Sequence, residues 1–507
     1  MRWNAKWLLF ALGVIALATA YAVTRLSNLT ALPIFTDEAI YIRWSQIGMR
    51  DAAWRFISLS DGKQPMFTWV MMILLKVFEG MDPLFIGRLT SVIAGAGTLI
   101  GLWLVSNDLF RDKRVAWMTG VIYVLLPFST WYDRVALYDS MVGTFAVWSL
   151  LLAIRLVRKP QLDTALILGM VLGAGMLNKS SGFLSLYFLP VTLLLFDWQA
   201  KNIRRRLITW AGLVLLAALL SQVFYSVLRL SPLFHMVGQK DNVFIFSMSE
   251  WLNQPFRFLE GNLRGMFDWL RHYMTLPLFI AAFVPIFMRW PKTRETWLLY
   301  FWWALPFAAL ANFAKILYPR FIFFMTLPLV MAAAFTAIML WDKLKNRSMR
   351  YIMLAALLIP SIYTTWFVVT QPKAAPIPLA ERGQFIDDWP AGGGVKEVVS
   401  YLAAESAYQK INVFTEGTFG LLPYALEIYL VDRPNVTITG IWPIPPVIPD
   451  EIARAASSSA TYFVMNESQV APDWPIILIG EYEKGNRADH KKLRFYRVNT
   501  PPFSDPQ

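Results

Sequence analysis

Eleven mostly apolar blocks run through the first 370 residues, at about 7–24, 84–105, 115–132, 140–157, 164–177, 182–197, 207–228, 273–289, 297–314, 321–341 and 351–370. A bilayer core needs about 20 such residues per helix. Lipid offers the backbone no hydrogen-bond partners, so each block must close its own bonds as a helix. The expected fold class is therefore a polytopic α-helical membrane protein with about 11 spans. Composition points the same way: 16% of residues are charged, against about a quarter in soluble chains. Aromatic residues make up 15%, as expected where belts line both interfaces. The absence of cysteine excludes disulfides, thiolate catalysis and cysteine metal sites. The stretch from Trp7 to Thr24 follows Arg2 and Lys6 and lacks a small-residue cleavage site after it. It is expected to be a retained first span.

The net charge of +13 would suggest nucleic acid in a soluble domain. Here the loops explain it, and no nucleic-acid partner is expected. With the N-terminus inside, the loops after every second span should be basic. They carry Arg111, Lys113 and Arg114; Arg158 and Lys159; Lys201, Arg204, Arg205 and Arg206; Arg289, Lys292 and Arg294; and Lys343, Lys345, Arg347 and Arg350. Counting the block Met66–Phe78 as a further span would invert all of them. That block has 13 residues, includes Lys76, and is expected to lie in the interface. It belongs to a long first outer loop, about 25–83.

The tail differs in kind. A Pro- and Gly-rich linker, 371–394, leads to short alternating patterns in 395–507. Strands are predicted at Ile411–Thr415, Val436–Thr439, Tyr462–Met465, Ile476–Tyr482 and Leu493–Val498. Helices are predicted at Val395–Tyr408, Thr418–Leu430 and Glu451–Ala456. The alternation argues a small C-terminal α/β domain. An odd number of spans places it outside the cytoplasm, on a prokaryotic plasma membrane.

Charges at membrane edges are costly and are suspects for function. The outward segments hold several. Thr36-Asp37-Glu38 follows the first span; adjacent acids point different ways, so one faces a substrate and the other bonds locally. A carboxylate there suits a general base; the plainer reading is a helix start capped by Thr36. Asp133-Arg134 is either functional or an exposed pair of little worth, and Asp139 either acts or caps the next helix. Asn178-Lys179-Ser180 and Lys315-Ile316-Leu317-Tyr318-Pro319-Arg320 put cations where the topology rule predicts few. Snorkelling is one explanation; a ligand set for an anionic lipid phosphate is the other. Asp61-Gly62-Lys63-Gln64-Pro65 precedes the interfacial block. His235, His272 and His490 show no metal-ligand spacing.

This constellation resembles the C-type (GT-C) glycosyltransferases, in particular the bacterial and archaeal relatives of protein O-mannosyltransferase and the lipid A aminoarabinose transferase. The resemblance covers roughly residues 1–370. It rests on Asp37-Glu38 early in a long outer loop, on the interfacial block, and on Arg134 to Ser140 as an arginine, small or apolar residues, then Asp139. Gly62-Lys63-Gln64-Pro65, Lys179 and Arg320 complete it. The family's metal-binding glutamate before the lysine is Gly62 here, so no metal site and no cofactor is carried over.

The resemblance implies a transferase moving a sugar, with inversion, from a polyprenyl-phosphate donor to a protein, lipid or cell-envelope glycan acceptor on the outer face. Asp37 would take the acceptor proton, with Glu38 and Asp139 orienting. Lys63, Lys179, Arg320, Arg134 and Tyr318 would serve the donor. The alternatives are a lipid-linked sugar flippase or transporter, and an O-antigen ligase- or polymerase-type enzyme. Transporters tend to place charges at the midplane within repeats, a pattern this chain lacks.

Overall fold

The computed structural model describes residues 5–288 and 291–499. Arg2 and Arg289, counted above, and the end of the tail at 500–507 lie outside the described residues. In chain order the helices up to residue 370 are α1 (Ala5–Leu26), α2 (Thr36–Arg50), α3 (Met66–Val77), α4 (Pro83–Phe110), α5 (Lys113–Leu125), α6 (Pro127–Tyr132), α7 (Tyr138–Arg158), α8 (Leu162–Asn178), α9 (Gly182–Tyr187), α10 (Ile203–Ser226), α11 (His235–Phe244), α12 (Met248–Asn253), α13 (Leu259–Met274), α14 (Leu276–Phe287), α15 (Thr293–Phe313), α16 (Phe323–Lys343) and α17 (Arg347–Thr370).

Each expected span is helical over most of its described residues, but not each is one long helix. Among the described residues, six segments are long and apolar enough to cross a membrane, or up to seven if the α13–α14 pair, bent by 110°, is one span. The block at 115–132 divides at Leu126, because Pro127 supplies no N–H to continue α5 and opens α6 instead. The block at 182–197 is α9 followed by a 3-10 stretch, Leu189–Leu195. The interfacial block is α3, 12 residues long and too short to cross.

The chain forms two compact units: residues 1–28, 53–70 and 88–376, and residues 29–52, 71–87 and 377–507. The first holds the helical core. Its centre is α16, buried along most of its length, where Ala332, Ala333 and Ala334 let α5, α7, α14 and α15 approach.

The second unit contains α18 (Leu379–Arg382), α19 (Val395–Glu405), β1 (Ile411–Glu416), α20 (Leu421–Leu430), β2 (Val436–Ile441), α21 (Asp450–Ser458), β3 (Ala460–Asn466), β4 (Ile476–Glu483) and β5 (Lys492–Val498). The sheet order is β2-β1-β3-β5-β4. β1 pairs in parallel with β2 and β3, and β5 antiparallel with β3 and β4. β3 is buried almost throughout, matching its near-continuous apolar run, whereas the edge strand β4 alternates. All five predicted strands are present. Two features were not anticipated. Helix α2, from the loop after α1, belongs to this unit and packs on α20 through Arg43–Glu427 and Arg50–Asp432, both 2.5 Å, and through Gln46 to the Ile428 carbonyl at 2.9 Å. The stretch expected as a linker is packed structure from residue 379 onward.

Candidate active site

In the second unit the chain enters α2 through extended Phe35. Glu38 is fully buried and its carboxylate accepts the Phe35 N–H at 2.9 Å. Thr36 does not cap: its N–H and hydroxyl both donate to the Pro390 carbonyl, at 3.0 and 2.9 Å. The two acids thus differ, since Glu38 is buried and serves the helix start while Asp37 is half-buried in an otherwise buried first turn.

In the first unit, the turns expected to meet a phosphate come together. Lys179, just after α8, reaches Asp139 in the first turn of α7 at 2.7 Å and lies 4.8 Å over the Phe321 ring. Burial draws the Lys179 ammonium below the ordinary lysine range; Asp139 opposes this, and the nearby charges of Arg320 and Lys63 add to it. The Arg320 guanidinium stacks on Tyr318 at 4.6 Å. Lys63 pairs with Asp61 at 3.4 Å, and Gln64 donates to the Ser180 hydroxyl at 2.7 Å. Lys63, Lys179, Arg320 and Tyr318 therefore share one locality, with Asp139 inside it. Lys315 pairs instead with Glu250 at 3.0 Å.

The structure changes the reading of Asp133 and Arg134. They are buried and not paired with each other. Asp133 bonds Arg25 at 3.2 Å with both side chains fully buried, and accepts from Tyr123 and Ser140. Arg134 donates to the carbonyls of Thr24, Arg25, Ser27 and Asn28 at 2.8–3.1 Å. Those of Thr24 and Arg25 are orphan acceptors at the end of α1 and those of Ser27 and Asn28 lie in the turn after it, so Arg134 closes that helix end and leaves the donor-binding set.

Two residues of the cluster, Lys240 and Asp241, were missed. Lys240 on α11 reaches Asp61 at 2.6 Å, Ser180 donates to Asp241 at 3.0 Å, and burial raises the Asp241 carboxyl. Their signal was weak, because α11 sits in a loop read only as long and outward. Gly62 adopts φ +66, and a Cβ there would sit 2.4 Å from the Met236 carbonyl oxygen. The position of the family's metal-binding glutamate therefore has no room for a side chain. Among the described residues no group of three His, Asp or Glu side chains is placed to hold a metal ion.

Comparison with known proteins narrows the reading. The family model for dolichyl-phosphate-mannose-protein mannosyltransferase matches residues 62–225. The undecaprenyl phosphate-α-4-amino-4-deoxy-L-arabinose arabinosyl transferase of Pseudomonas aeruginosa is 28% identical over 196 residues, 36% of this chain and 34% of that protein. The match thus spans about a third of that relative's length. The crystal structure of ArnT from Cupriavidus metallidurans in the apo state superposes with TM-score 0.60 at 14% identity, covering 97% of this chain and 98% of that one. The chain is similar to ArnT in fold and, over residues 62–225, to the mannosyltransferase family in sequence. It shares the helical fold of these membrane proteins across nearly its whole length, tail domain included. The same enzyme bound to undecaprenyl phosphate superposes with TM-score 0.57 at the same identity and coverage.

Proposed function

We propose that the protein is a membrane glycosyltransferase that moves a sugar from a polyprenyl-phosphate donor to a protein, lipid or cell-envelope glycan hydroxyl on the outer face of the membrane. One observation carries this reading: Lys63, Lys179 and Arg320, from three separate turns, converge in the first unit. Lys179 sits beside two further cations at the cost of its own desolvation, an arrangement expected where an anion is to be held. The relative bound to undecaprenyl phosphate supports the donor class.

In the proposed reaction the acceptor oxygen attacks the anomeric carbon. The bond from that carbon to the phosphate oxygen breaks, and its electrons leave with the polyprenyl phosphate. The cation cluster stabilises that developing charge, often the largest catalytic contribution. The acceptor hydroxyl proton passes to the Asp37 carboxylate as the glycosidic bond breaks. Glu38 holds the turn that presents Asp37, and Asp139 orients Lys179. No step runs through a metal.

The test is incubation of the purified protein with a panel of polyprenyl-phosphate sugars and candidate acceptors, followed by mass spectrometry of the lipid. Release of polyprenyl phosphate only with an acceptor present is expected. Translocation of intact donor across vesicles without release would favour the transporter instead.

A further inference from the structure

We propose that Lys484 is a positioning residue for Asp37, acting through the backbone of Trp389 and Pro390; this rests on the reading of Asp37 as proton acceptor. Lys484 follows β4 and is fully buried. Its ammonium donates to the Trp389 carbonyl at 2.8 Å and to the Asn466 side-chain oxygen at 2.5 Å. The next carbonyl, that of Pro390, accepts both the N–H and the hydroxyl of Thr36. Thr36 opens α2, and Asp37 is the next residue. Phe35 forms an antiparallel bridge with Ala391, and its ring lies 4.3 Å from that of Phe385. A Cβ on Gly392 would come 2.3 Å from the Ile34 carbonyl, so the two backbones touch.

Proline has no N–H, so Pro390 cannot be fixed by donating. Lys484 holds the carbonyl on one side of it, and Thr36 engages the carbonyl on the other. A buried ammonium is an expensive clamp. The surroundings make it tolerable: Glu416 on β1 and Asp388 beside Trp389 face it, and Asn466 ties Glu416 in by its own N–H at 2.6 Å. Asp387 is occupied by Arg382. An apolar side chain would fill this space without the desolvation cost but could not grip a carbonyl.

The experiment compares Lys484→Met, Thr36→Val, the double variant and Asp37→Asn in nanodiscs. It reads amide hydrogen exchange over residues 35–40, turnover of the polyprenyl-phosphate sugar that supports transfer, and binding of undecaprenyl phosphate. In Lys484→Met, exchange at 35–40 should quicken and kcat fall about tenfold, with undecaprenyl phosphate affinity unchanged to within about twofold. Thr36→Val should act in the same direction, and the double variant should be no slower than Lys484→Met, because both break one linkage. If Lys484→Met does not fold, Thr36→Val decides alone. Wild-type turnover in the folded variants, losses that multiply, or a parallel fall in undecaprenyl phosphate binding overturns the inference. Inactive Asp37→Asn beside fully active Lys484→Met and Thr36→Val overturns the inference alone. Near-normal Asp37→Asn overturns the reading of Asp37 and this inference with it.

Discussion

Glu38, not Asp37, does the local work of starting α2, and this separates the two acids experimentally. Asp37→Asn removes the proton acceptor while keeping the side chain's size, and its lost interaction with the helix dipole costs about 0.3–1 kcal/mol. Turnover should be abolished with undecaprenyl phosphate binding intact, measured in one nanodisc preparation. Glu38→Gln keeps an acceptor for the Phe35 N–H and should be mild, with kcat within about tenfold of wild type. The donor phosphate is probed by Lys179→Ala and Arg320→Ala. Loss of one charge-assisted bond costs about 1.5–3 kcal/mol, one to two orders of magnitude in affinity. Titration with undecaprenyl phosphate checks this, and unchanged affinity in both variants would remove the cluster from the mechanism. Lys179→Ala should also lower thermal stability, because Asp139 is left buried without its partner. Asp133 is no reserve base: it is fully buried against Arg25. Asp133→Asn should therefore destabilise by about 3–5 kcal/mol, read as a lowered Tm, since it strands a buried cation.

Among the elements, the strands of the tail were the most legible part. Their alternating or continuous apolar runs depend only on which face is buried, a local property of the sequence. The attachment of α2 to α20 was not legible, because Arg43 finds Glu427 across 384 positions and no local pattern encodes that. The same holds for Arg25 and Asp133, 108 positions apart, where burial turned an expected surface charge into half of a core pair. The turn carrying Lys63 lay between: its cation was visible, but its anchor on α11 was not. The Pro- and Gly-rich composition of 371–394 suggested slack, yet glycine also serves where backbones must touch, as Gly392 does against Ile34. Within the tail domain, burial lowers the Lys484 pKa to about 7, against about 10.4 in an unfolded chain. Between those values the unfolded chain binds more protons, so stability should rise as pH increases from about 7. Below that both states are charged and the burial cost is fully present. Glu416, raised by burial, acts in the opposite sense. Thermal melts of the full chain from pH 7 to pH 9 should show a relative gain for wild type that Lys484→Met lacks.

At the scale of the whole molecule, the question is which face of the membrane the chemistry occupies. Basic residues fall in the loops after the second, fourth, sixth, eighth and tenth expected spans. Lys63, Lys179 and Arg320 fall in the alternate segments. On the proposed reading, topology accounts for the first set and an anionic substrate for the second. The alternation depends on parity rather than on the number of spans, so it tolerates the broken helix at Pro127 and the bent pair at Thr275, provided each break leaves its segment as one crossing. If α5–α6 or α13–α14 turned back within the membrane, the charge pattern downstream would reverse sign, and the tail domain would lie inside. An alkaline phosphatase fusion after Gln371, paired with a reporter active only in the cytoplasm at the same site, reads this directly. An active phosphatase and a silent cytoplasmic reporter are expected. Further fusion pairs after Arg158 and after Arg206 should give the opposite result, because both follow an even number of crossings. A silent phosphatase at Gln371 would place the tail domain in the cytoplasm. Since α2, with Asp37, belongs to the same compact unit as that domain, the proposed base would move with it, and transfer on the outer face would be excluded.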